Sequence, residues 1–467
     1  MVDRLQQPEE RQAGIRKNSL QSSLNFENGL GTTCVAIIYG VLIVSSFLAP
    51  PFIERFGVRN VLLCGWFCHT LFILANMWPH WATLIPASIL VGVASGFIWV
   101  AQGSYVSRLG VRLSEASSLA SEPAMGRLFA AFSAVLALMR LFGYVLSSLI
   151  LYSHKSNENL DVNGTTTPRP ILKCGALHCP MEQTDHFEKP PKRIKYILLG
   201  IYLAFNILGI FIILALQNIG EQRENRQSPA SFGSAFKKKL KRTLLLFRKP
   251  LMSALLCITV VNALNEATLH SSFTQSFVIC THGVKMVGLV LLVTCTVYLV
   301  TSLIVGWVVR YIPSSVMVFV GFCVLAAFAL TGLFLQTGPE MFSSLLLLSA
   351  SIGAALGILL PAKQTLAGFW FKDRKTEAYG LEQSFNALVQ CIAYAYSRYL
   401  CIRVKFYIFL GFLLIAFVIY TIQVIRKKAL TLTTQNNNLD TTEMRRSRSL
   451  SARENSEASE ALVPMDR

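Results

Sequence analysis

The stretch Pro50-Pro51-Phe52-Ile53-Glu54-Arg55-Phe56-Gly57-Val58-Arg59-Asn60 is a short charged turn flanked almost entirely by apolar residues. An acid, two arginines and a glycine that permits a tight turn occupy a loop too short to leave a membrane surface. Such a loop joins two neighbouring membrane-spanning helices, and its arginines place it on the cytosolic side. Glu54, Arg55 and Arg59 are expected to pair with neighbouring helix ends and hold the cytosolic side closed, or else only to anchor topology. Gly57 makes the turn.

Working outward, eleven stretches approach the roughly 20 mostly apolar residues a spanning helix needs. They are Thr33–Ile53, Val61–Trp78, Trp81–Val100, Met125–Leu151, Ile194–Leu216, Leu251–Leu269, Val287–Val309, Val316–Leu335, Phe342–Leu360, Tyr379–Leu400 and Phe406–Ile425. Tyr379–Leu400 is the least apolar, carrying Glu382, Gln383, Asn386 and Gln390. The chain of 467 residues is 53% hydrophobic and 15% charged, against about 25% charged in soluble proteins. Only helices and closed barrels satisfy their own backbone in lipid, and runs this long exclude a barrel. The expected class is an all-α polytopic membrane protein.

The net charge of +18 does not argue for nucleic acid, because the basic residues sit in loops, where they set topology. With the loop after Ile53 in the cytosol, basic residues are denser on that side, although Lys192, Arg193 and Lys195 oppose the bias. Asn163-Gly164-Thr165 is an N-glycosylation sequon in the loop Ser153–Lys192, which this orientation places outward, where glycans are added. The same loop holds Cys174-Gly175-Ala176-Leu177-His178-Cys179. An outward loop is oxidising, so a short-range disulfide between Cys174 and Cys179 is expected. A metal site with His178 would lack a fourth ligand, and no metal or cofactor is expected elsewhere.

The chain divides into a polar segment 1–31 without a signal-peptide core, a five-span half 32–216, a linker 217–250 with nine Lys/Arg, a six-span half 251–425, and a tail 426–467. The tail, rich in Ser, Thr, Asn and Glu, is expected to be disordered and cytosolic. Pro50-x-x-x-Glu54 has a counterpart in Gly306-Trp307-Val308-Val309-Arg310, each closing one span before a short loop. Two pseudo-repeated helical halves joined by a long cytosolic linker describe a major-facilitator-like bundle.

Further residues carry a family resemblance. They are Ser19-Leu20-Gln21-Ser22-Ser23-Leu24, Gly29-Leu30-Gly31 and the turn Ile53–Gly57. Thr83-Leu84-Ile85-Pro86-Ala87-Ser88-Ile89-Leu90, followed by Trp99 and Ala101-Gln102, is the most specific block. Cys174 and Cys179 fit, as do Phe273-Thr274-Gln275-Ser276-Phe277-Val278 before Cys280 and Leu400-Cys401 before Val404-Lys405-Phe406-Tyr407. In order and spacing these resemble the uncoordinated-93 family of the major facilitator superfamily, and most closely its homolog A group. Members carry a further hydrophobic helix before the Ser-Leu-Gln-Ser-Ser-Leu block; here the polar stretch Arg4–Lys17 stands there. The resemblance therefore implies either a shortened form or eleven spans with an outward N terminus.

The resemblance also implies that Trp81–Val100, Leu251–Leu269 and Phe342–Leu360 wall a central cavity. Polar groups inside a membrane are costly and informative. Asn262, Glu266 and His270 are spaced four apart, so they share one helix face, with Asn265 beside them. Glu266 is a candidate cation or proton site; its alternative is a hydrated structural place near the outer interface. Arg140, within Met125–Leu151, is a candidate partner for Glu266 or for an anionic solute, or bonds backbone carbonyls. Gln102 closes its helix as a donor to a neighbouring helix or to a solute. His69, Cys295 and Cys323 read as packing residues, while Cys280 and Cys401, both at outer helix ends, are candidates to bond each other. Lys237, Lys238, Lys239, Lys241 and Arg242 lie by the inner leaflet, where each basic residue is worth on the order of 1 kcal/mol toward anionic lipid. Ser447, Ser449 and Ser451 stand beside arginines as candidate phosphorylation sites.

No phosphate loop, metal cluster or nucleophile–base pair suggests an enzyme. The resemblance implies a regulatory or trafficking partner of another membrane protein, since family members are associated with two-pore potassium channels and with escort of nucleic-acid-sensing Toll-like receptors. The alternative is a cation- or proton-coupled secondary transporter working through Glu266. A third is a truncated form without independent activity. The bilayer is the one certain partner, and the plasma membrane is favoured over endolysosomal membranes.

Overall fold

The computed structural model describes residues 30–155, 174–179, 192–215, 232–282, 286–335, 341–397 and 399–460. Among them every regular element is helical. The helices are α1 (Leu30–Phe56), α2 (Val58–Ala75), α3 (Trp81–Ala116), α4 (Ser121–Lys155), α5 (Lys192–Ala215), α6 (Phe232–Leu246), α7 (Pro250–Ala267), α8 (Val287–Val308), α9 (Ser314–Phe334), α10 (Phe342–Trp370), α11 (Lys375–Ser397) and α12 (Ile402–Glu460). A π-helical segment, Thr268–Ile279, and a last turn, Cys280–His282, prolong α7.

The charged turn has the expected economy. One residue, Gly57, separates α1 from α2, at φ +80°, a backbone conformation that side chains disfavour. Its N–H bonds the Ile53 carbonyl at 2.9 Å. The proposed counterpart is built differently. α8 ends at Val308 and α9 begins at Ser314, whose N–H donates to the Glu122 carboxylate of α4 at 2.9 Å.

Ten of the described helical stretches are long and apolar enough to cross a membrane. Tyr379–Leu400, which lies in α11 as far as Ser397, falls outside that set. Its polar residues are not presented to lipid, because α11 packs between α1 and α7, with Glu377, Glu382 and Gln390 buried. The 36 residues of α3 span roughly 54 Å, so the helix runs on well past Val100.

Close backbone approach holds the bundle. A side chain at Gly353 in α10 would strike the Thr294 carbonyl of α8, and one at Gly357 would lie 2.9 Å from the Tyr298 carbonyl. α4 packs on α8 and α10, α1 on α3 and α11, and α7 on α11 and α12. The largest core cluster lies among α7 to α12.

Two expectations are corrected here. Residues from Arg426 to Glu460 do not form an irregular tail but continue α12. No Gly or Pro occurs between Gly411 and Pro464, so nothing stops the helix after it leaves the apolar stretch. Cys323 is exposed on the bundle surface rather than buried, while Cys295 is buried as expected.

Candidate functional site: two ion pairs within the helical bundle

Arg140 on α4 and Glu266 on α7 meet inside the bundle. Nη2 of Arg140 donates to Oε1 of Glu266 at 2.5 Å, and the second carboxylate oxygen accepts from Nε2 of Gln390 on α11 at 2.9 Å. One carboxylate thus ties three helices together. The side chains are 28% and 18% exposed, so Glu266 is bonded and largely enclosed. Tyr39, Tyr144, Tyr298 and Tyr394 lie within range of these charges, and the rings of Tyr39 and Tyr394 are 5.8 Å apart.

The α7 face is modified by the π segment. Asn262 and Glu266 keep their α-helical relation, whereas His270 sits in the wider π turn, a geometry concentrated at functional sites. It remains in electrostatic range of Arg140 and Glu266. Asn262 and Asn265 are buried. Oδ1 of Asn262 and both side-chain polar atoms of Asn265 find no protein partner among the described residues. The expected donation by Gln102 to a neighbouring helix is not made: neither of its amide atoms has a protein partner there. His69, by contrast, contacts Ser95 Oγ at 3.3 Å.

A second ion pair escaped sequence reasoning. Lys363 on α10 meets Glu382 on α11 at 2.5 Å, with side chains only 3% and 5% exposed, and Thr259 on α7 approaches the same carboxylate at 3.5 Å. Lys363 stands just past the expected end of its span at Leu360, and Glu382 registered only as a blemish in an apolar stretch. A lysine two residues after Pro361 in that run was the available signal.

At the other end of α7 the four candidate cysteines are all bonded, but crosswise to expectation. Cys174 pairs with Cys280 and Cys179 with Cys401. The cause is the short 3₁₀ turn Gly175–Leu177, which seats buried His178 against α7, its Nδ1 2.9 Å from Ser276 Oγ. The His178 carbonyl accepts the Ile402 N–H of α12 at 3.1 Å. The loop is thereby wedged between two helix ends, and each cysteine meets a different one. Nearby, buried Lys405 donates to the Ser397 carbonyl at 2.6 Å and to Ser272 Oγ at 3.2 Å. Asn163 lies outside the described residues.

At the charged-turn end, Lys239 of α6 bridges Glu54 of α1 at 3.0 Å and Glu377 of α11 at 2.9 Å. Lys239 is therefore an intramolecular tie, not the lipid contact expected of it. Lys237, Lys238, Lys241 and Arg242 are exposed. Arg59 donates to the Leu214 carbonyl of α5 at 2.5 Å, and Arg55 is exposed. Burial, then the neighbouring charges of Arg108 and Lys372, hold the pKa of Lys375 below the usual lysine value. Ser447, Ser449 and Ser451 fall in the distal part of α12.

Comparison with known proteins gives this arrangement its relatives. The model of the ion channel regulatory protein UNC-93 family matches residues 25–293, and that of the major facilitator superfamily matches residues 251–452. The chain is 30% identical to human protein unc-93 homolog A over 409 residues, covering 86% of this chain and 87% of the relative. The Xenopus laevis homolog A is 28% identical with the same coverages. The putative potassium channel regulatory protein unc-93 of Caenorhabditis elegans is 26% identical over 282 residues, 58% of this chain and 39% of that protein. In structure the chain resembles the human organic anion transporter MFSD10 (TM-score 0.51, 14% identity, 84% of each chain). It also resembles the proton:xylose symporter XylE (TM-score 0.53, 12% identity, 83% of this chain and 84% of that one). None of these names is that of an enzyme. A bundle of long apolar helices with the major facilitator fold, matched by the family model over more than half its length, is a multi-pass membrane protein that belongs to the UNC-93 family.

Proposed function

We propose that this chain is a regulatory or trafficking partner of another membrane protein, with a potassium channel as the first candidate and the plasma membrane as its place of work. Family membership supports the class. The observation that carries the reading is that the two candidate coupling acids are already in ion pairs: Glu266 with Arg140, its second oxygen bonded by Gln390, and Glu382 with Lys363. A carboxylate held in an ion pair must first be released from it before it can take up a cation or a proton. Here each is a cross-brace between helices.

A second reading, coupled transport of a small solute, draws on the polar atoms of Asn262 and Asn265 that lack protein partners beside Glu266. Buried groups of this kind ask for a ligand or for a second conformation. The two readings separate on co-expression with two-pore-domain potassium channels in cells also assayed for solute and proton flux. Regulation predicts a change in channel current or surface level, with no flux lost in Glu266→Gln. Flux that disappears in Glu266→Gln at normal surface level would sink the regulatory reading.

A further inference from the structure

α6 runs through a strongly basic sequence before a membrane entry. Phe232–Leu246 contains no acid, and after three intervening residues Pro250 opens α7. Its C-terminal end therefore lies at the depth of the lipid headgroups. One side of α6 is committed to the protein: Thr243 and Leu246 are buried, and Lys239 joins Glu54 to Glu377. The other side is not. Lys237, Lys238, Lys241 and Arg242 are exposed across two turns, with Leu244 and Leu245 exposed just after them. Cations followed by apolar side chains, at the edge of a bilayer, fit a ligand with a polyanionic head and an acyl tail.

The tie made by Lys239 gives such binding a consequence. Glu54 ends α1 in the first half and Glu377 begins α11 in the second, so α6 spans the seam between halves. We propose that the outward cations of α6 bind an anionic phospholipid of the adjoining leaflet, a multiply phosphorylated phosphoinositide above all, and that its binding stabilises the arrangement in which Lys239 clasps α1 to α11. The inference holds under either function proposed above.

The test uses the full-length protein in nanodiscs of neutral phosphatidylcholine, with and without a few per cent of phosphatidylinositol bisphosphate. Lipid retention is read by native mass spectrometry. Opening of the seam is read by maleimide labelling of Ser384→Cys, located by peptide mapping, because Ser384 bonds the Ile43 carbonyl across α1 and α11. The wild type should retain the phosphoinositide, and the lipid should slow labelling. At on the order of fivefold per basic residue, the combined Lys237→Gln, Lys238→Gln, Lys241→Gln and Arg242→Gln variant should bind over a hundredfold more weakly. Arg310→Gln with Lys428→Gln should bind as the wild type does. Lys239→Gln should keep the lipid but lose its effect on labelling, which separates binding from coupling. Equal retention by the quadruple variant, or labelling indifferent to lipid, overturns the proposal. So does equal competition by the soluble inositol phosphate headgroup, which would assign the site to a free ligand.

Discussion

Lys363 and Glu382 show what a buried ion pair does. Withdrawing two charges from water is expensive, and the attraction regained roughly offsets the cost, but losing one partner strands the other. Lys363→Met is therefore expected to destabilise the protein by about 3 kcal/mol or more, whereas Lys363→Met with Glu382→Leu should recover most of that loss. Thermal melts of the purified variants in one detergent test this; equal loss in the single and double variants would show that the pair carries net stability. Glu266→Gln keeps a partner for Gln390 but leaves Arg140 uncompensated, so its melting temperature should fall further than that of Gln390→Leu. Arg140 and Glu266 were legible as isolated charges in apolar runs. Their bond was legible only as one of three alternatives for Arg140, because the choice among them depends on packing angles between separate helices that neither run encodes alone.

At the scale of elements, ten of eleven expected spans appear as helices with the needed apolarity, since about 20 apolar residues leave the backbone no other choice in lipid. The ends were less legible: α3 and α12 run on through polar sequence because nothing interrupts their hydrogen bonding. The π segment in α7 left no trace in its spacing. Helix contacts turn on single atoms. Gly353→Val would push methyl groups into the Thr294 carbonyl of α8 and should cost about 1–3 kcal/mol. Gly411→Val, with nothing within 4 Å of its added carbon, should be nearly silent in the same melting assay. For the outer turn, Cys174 and Cys179 were the right residues with the wrong partners, since nearness in sequence says nothing of the wedge formed by buried His178. Peptide mapping without reductant should recover links from Cys174 to Cys280 and from Cys179 to Cys401. Cys179→Ser should cost about 2–4 kcal/mol.

In the whole molecule, the two ends of α7 are tied by different chemistry. Beside its beginning, Lys239 clasps α1 to α11 through ion pairs that water and salt weaken. Glu54→Gln with Glu377→Gln should therefore raise maleimide labelling of Ser384→Cys several-fold from the side of the charged turn; unchanged labelling would reduce Lys239 to a topology anchor. Past its end, covalent links join the segment between α4 and α5 to α7 and α12. A glycan at Asn163, removed by glycosidase and absent in Asn163→Gln, would place that segment on the lumenal face of the membrane. Its cysteine pattern then bears on synthesis. In that placement Cys174 and Cys179 would reach the oxidising lumen first, five positions apart and free to react with each other, while their proper partners have yet to be translated. Cys401 arrives only after α11 has been threaded into the membrane. The full pairing must wait for Cys401 or undo an earlier bond, so the finished crosslinks record that the chain was inserted at least through α11.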